Sequence, residues 1–128
     1  MDHFRDEYRA WLNAALAEDL PSDVEAFAFN LFEKTSDNSR YGIELIGASE
    51  FDPSDPDWPC SEIWEPSKGR ASEIPLSFCN GSWEECLSQM TDLISAFLHE
   101  PSPLSQKLNS VRGIGIGFVD GDLRLLKS

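Results

Sequence analysis

A chain of 128 residues with 41% apolar and 11% aromatic side chains holds enough to bury for one self-sufficient domain, expected to span residues 1–128, and lies outside the low-hydrophobicity regime of disorder. Its 23 acidic against 10 basic residues leave a formal net charge of -13, a field that repels nucleic acid and anionic membrane and speeds encounter with basic partners. There is no apolar run long enough to span a membrane, and the charged, amphipathic start MDHFRDEYRA is unlike a secretory leader, so a cytoplasmic protein of bacterial type is expected.

In chain order, Phe4, Tyr8, Trp11, Leu12, Ala15 and Leu16 recur at steps of three and four, which predicts a helix over about residues 3–19, ended by Pro21. VEAFAFNLFE then alternates, with Phe27, Phe29 and Leu31 on one face and Val24, Ala26, Ala28 and Phe32 on the other, as in a central strand. TSDNSR supplies a turn, and RYGIELIGAS returns as the second strand of a hairpin. The prolines at 53, 56, 59 and 66 keep the next segment out of a central ladder; CSEIWE and, beyond the SKGRAS turn, IPLSF are predicted edge strands. SWEECLSQMTDLISAFLHE predicts a helix with Trp83, Leu87, Met90, Ile94 and Phe97 on its core stripe, and Ser82 with Glu85 reads as its capping box. Ser102-Pro103 opens a shorter helix, and GIGIGFVDGDLRLL closes the chain as a hairpin turning at Asp120-Gly121. The expected class is α+β: an antiparallel sheet with helices packed mainly on one face, in the order α-β-β-(β-β)-α-α-β-β.

Motifs for chemistry are sparse. Gly113, Gly115 and Gly117 alternate inside a strand and do not open a helix, so they predict close approach of a helix, a ring or a partner to bare backbone, not phosphate binding. Asp52, Asp55 and Asp57 lack the glycine and the closing glutamate of a calcium loop. Cys86 sits on a helix stripe, Cys60 lies among acids that disfavour its thiolate, and the three cysteines have no C-x-x-C spacing. His99 falls in a helix's last turn, where a cation suits the dipole. No catalytic residue, metal or cofactor is therefore assigned.

What stands out is FDPSDPDWPCSEIWEP, residues 51–66. From Tyr41 to Ser67 no Lys or Arg occurs, while Glu44, Glu50, Asp52, Asp55, Asp57, Glu62 and Glu65 fall inside. Proline stiffening lowers the cost of ordering such a loop on binding, acids steer a basic partner, and tryptophans are favoured anchors. Asp52, Asp55, Asp57, Trp58, Glu62, Trp64 and Glu65 are the candidate partner-binding residues. If both tryptophans are anchors, truncating either should release a partner and leave the fold standing; the competing reading folds both rings back under the loop as a satellite core.

AFAFNLFE, YGIELIGASEFDPSDPDWPCSEIW and GIGIGFVDGDL together resemble a group of small acidic bacterial proteins of mostly unassigned function, some of which are regarded as immunity proteins encoded beside secreted toxins. The resemblance covers about residues 24–65 and 111–125 and implies an α+β fold and a binding role, without catalytic residues. The expected function is an acidic protein-binding module, an immunity protein that inhibits a cognate basic toxin domain. The alternative is a small carboxylate-based enzyme or ligand-binding domain, which a pocket lined by two or more buried acids would favour.

Overall fold

The computed structural model describes residues 3–34, 39–119 and 121–127. Helix α1 (Phe4–Leu16) precedes strands β1 (Ala26–Glu33) and β2 (Ser39–Ala48), a single 3-10 turn at Trp58–Cys60, and strands β3 (Glu62–Trp64) and β4 (Ala71–Pro75). Helices α2 (Trp83–His99) and α3 (Pro103–Leu108) lead into β5 (Gly113–Phe118) and β6 (Arg124–Lys127). The TSDN turn residues 35–38 and Asp120 of the second turn signal lie outside the described residues. The strands flanking both turns pair antiparallel as expected.

One six-stranded sheet results, with β3 and β4 sharing one edge of β2, followed by β1, β5 and β6. It is mixed where a purely antiparallel sheet was expected, because β1 and β5 run parallel, pairing Phe27 with Ile114 and Phe29 with Ile116. The chain between them passes through α2 and α3, a connection long enough to return β5 in the same direction. IPLSF is also corrected. Strand β4 takes only Ile74 and Pro75 from it, and the chain then turns, with the N–H groups of Phe78 and Cys79 both donating to the Pro75 carbonyl.

The register divides the sheet into two unlike faces. Phe27, Phe29, Leu31, Ile43, Leu45, Ile114 and Ile116 are fully buried and form one core with Tyr8 and Leu12 of α1 and Met90, Ile94 and Phe97 of α2. Removing that apolar surface from water is the main driving force for the fold. The opposite face is paved with small residues: Ala26 pairs with Gly113 and Ala48, and Ala28 with Gly115 and Ile46. It carries a second, smaller cluster of Ala26, Ala28, Ile46, Ala48 and Trp58, with Phe51 and Leu123 against it.

The Ser82 half of the expected capping box of α2 and the N-cap of α3 are both formed. Ser82 Oγ accepts from the Glu85 N–H at 3.3 Å, and Ser102 Oγ accepts from the Ser105 N–H at 3.1 Å ahead of Pro103 at the helix start. His99 Nδ1–H donates to the Ser95 carbonyl at 2.7 Å in the last turn of α2. Trp83 departs from the expected core stripe: it is 49% exposed, its ring packed edge to face on the half-buried Phe118, the last residue of β5. Leu87, one turn on, is the first residue of that stripe to be buried. Among the described residues no helix is long and apolar enough to cross a membrane.

Candidate functional site

Residues 50–60 form a compact loop whose neck is closed by Ser49 and Ser61. The Ser49 N–H and Oγ both donate to the Ser61 carbonyl, at 2.9 and 3.3 Å. Within the loop, successive turns follow one another: the Asp55 N–H donates to the Asp52 carbonyl, the Trp58 N–H to Asp55, the Cys60 N–H to Asp57 and the Ser61 N–H to Trp58. Side chains add to this. Asp52 Oδ1 accepts from the N–H and Oγ of Ser54 at 2.9 and 2.7 Å, and Asp55 Oδ1 accepts from the Asp57 N–H at 2.9 Å. The bonds from Ser54 hold the Asp52 carboxyl below its usual range, since they favour the charged form.

The loop lies on the glycine-paved face. A Cβ on Gly113 would fall 2.0 Å from the Phe51 ring, and one on Gly115 would fall 3.1 Å from Trp58 Cζ2. Phe51 and Trp58 pack edge to face with centroids 5.3 Å apart. Trp58 is only 2% exposed, and Trp64 is 9% exposed and belongs to the main core, with its ring 6.2 Å from that of Phe27. The expectation that these tryptophans present themselves as anchors is therefore corrected. Bare backbone lets their rings approach the sheet closely, and burying them removes more apolar surface from water than displaying them would.

The candidate carboxylates are dispersed in three places. Asp52 and Asp55 are exposed and line an open hollow of about 350 Å³ together with Glu25, Glu50, Ser49 and Arg112. Periodicity in the sequence misses Glu25 and Glu50, because residues just outside two strand ends carry no repeating sign that they share a hollow. Arg112 Nη1 lies 3.5 Å from Glu25 Oε2. Asp57 lies at a second hollow, of about 400 Å³, beside Pro56, Pro59, Val119 and Asp122. Glu62 and Glu65 are elsewhere, bound with Glu44 to the guanidinium of Arg70, whose acidic neighbours, Glu65 foremost, hold it above its usual range. Arg70 follows closely on the basic-free window and folds back over it, so these acids are partly neutralised within the chain. Part-exposed pairs of this kind add little stability, and their main effect is on the local field.

Among the described residues the buried polar side chains are Ser39 and Ser105, so the acids lining these hollows are at or near the surface. Cys79 and Cys86 are buried, and Cys60 is exposed. Contact with Cys79 and burial both push the Cys86 thiol well up, away from the thiolate that chemistry would need.

No family model, curated protein or solved structure matches this chain.

Proposed function

We propose that this chain is an acidic protein-binding module that engages a basic protein partner, and that it acts in the cytoplasm as an immunity protein blocking a cognate basic toxin domain. The observation that carries the binding role is a fixed acid rim: Asp52, Asp55 and Asp57 are exposed on a loop whose Phe51 and Trp58 rings are seated on the sheet. Glu50 extends the rim, and Glu25 borders it paired with Arg112. Carboxylates held on a stiff platform steer a basic surface into register and leave little ordering to be done on contact. The toxin-blocking part of the reading rests on the resemblance of residues 24–65 and 111–125 to acidic proteins that include immunity proteins.

The test is kinetic binding to the basic product of an adjacent reading frame at two ionic strengths. Neutralising Asp52, Asp55 and Asp57 together to Asn is expected to slow association and flatten its salt dependence, with dissociation little changed. Association that responds neither to salt nor to the triple change would remove the acid rim from the contact.

A further inference from the structure

An acid rim governs encounter, whereas tight complexes depend on a few large side chains at a centre from which water is excluded. Trp58 and Trp64 are buried and cannot fill that role, but a different aromatic surface is open. Trp83 is 49% exposed and lines two hollows with the half-buried Phe118, and Val119, 62% exposed, lines a third with it. The rings form a continuous edge-to-face series, with Tyr41 5.7 Å from Phe118 and Phe118 5.7 Å from Trp83. Three open hollows of about 250, 400 and 270 Å³ adjoin here and share Phe118 and Gly121.

We infer that the surface of Trp83, Phe118 and Val119 is the apolar centre of the contact, and that it takes a basic protein segment in which a large apolar side chain lies between lysines or arginines. This rests on the basic-partner reading proposed above. Two features favour that occupant. The first is charge: Glu33, Asp57 and Asp122 line these hollows with Arg124, so acids predominate at the rim. A second copy of the chain would bring another net charge of -13 to the same place. The second is rigidity. Trp83 sits at the capped start of α2, the Val119 N–H donates to the Leu31 carbonyl at 3.0 Å, and the Gly121 N–H donates to the Phe118 carbonyl at 2.9 Å. The apolar side chains are thus displayed from a backbone already fixed, which is what a contact centre needs.

The experiment titrates the isotope-labelled chain with three synthetic peptides: Lys-Phe-Lys-Leu-Lys-Phe-Lys, Lys-Ser-Lys-Ser-Lys-Ser-Lys and Glu-Phe-Glu-Leu-Glu-Phe-Glu. The first is expected to shift the amide and indole signals of Trp83, Phe118, Val119 and Gly121, and the second only those of the acid rim. Trp83→Ala or Val119→Ser should weaken the first peptide by about tenfold, towards the affinity of the second, while Ile63→Ser, exposed on the far edge of the sheet, should not. Unchanged spectra elsewhere in each variant report an intact fold. Lys/Phe shifts confined to residues 52–57 or to β6, or a Trp83→Ala chain that binds like the parent, would overturn the apolar centre and leave the basic-partner reading standing. Equal binding of the Glu/Phe peptide, or no binding of either basic peptide, would overturn the basic-partner reading and this inference together.

Discussion

Gly117 shows how a single missing side chain sets the shape of the candidate surface. A Cβ there would lie 2.6 Å from the Asp122 carbonyl oxygen and 3.2 Å from Leu123 Cα, and backbone atoms cannot rotate away as a ring can. Gly117→Ala is expected to lose about 1–3 kcal/mol, the range for overpacking, in a denaturant titration. Asp52 gives a pH-dependent counterpart. Its folded carboxyl titrates below the ordinary aspartate value because of Ser54, so its contribution is present above that ordinary value and is lost as pH falls through the lowered one. Ser54→Ala removes the hydroxyl donor at 2.7 Å, and the Asp52 midpoint followed by carboxyl-carbon NMR is expected to rise. An unmoved midpoint would mean that the turn does not hold the charge.

Helix α2 is the element that joins fold to surface, with its capped first turn at the exposed Trp83 and its stripe from Leu87 onward in the core. Leu87→Ala is expected to cost about 2–5 kcal/mol, as large-to-small changes in a core do. Ser82→Ala, which removes the acceptor for the Glu85 N–H, should cost about 0.5–2 kcal/mol. Both are read from chemical denaturation of the full chain. These features of α2 were legible because a cap and a stripe are written within a few turns of sequence. The exposure of Trp83 was not, since the stripe says which side faces the sheet but not where the sheet ends. The parallel pairing of β1 with β5 was hidden for a related reason: hairpin signals report neighbours in sequence, while Ala28 meets Gly115 only across the crossover through α2 and α3.

For the molecule as a whole, residues 51–60 of the acidic segment serve as a cover for one sheet face and as a display for outward acids, while Glu62–Trp64 continue as the edge strand β3 with Trp64 in the main core. Both halves of that arrangement stood in the sequence, the aromatic residues in the proline-rich loop and the alternating glycines of β5. Their meeting depends on the turns between Asp52 and Ser61, which place Phe51 and Trp58 on the sheet without a helix or strand period. Arg70 was likewise visible only as a cation beyond the basic-free window until β3 and β4 brought it onto Glu44, Glu62 and Glu65. A cover of this kind is structural, so Trp58→Ala is expected to cost about 3–5 kcal/mol in stability, in contrast to the silent change an exposed anchor would give. The most direct measurement is the solvent exposure of each indole, read as broadening of assigned indole signals by a neutral gadolinium chelate. Strong broadening of Trp83 with protection of Trp58 and Trp64 is the expected result; Trp58 broadened as strongly as Trp83 would contradict the covering loop and return 51–66 to the role of an exposed anchor.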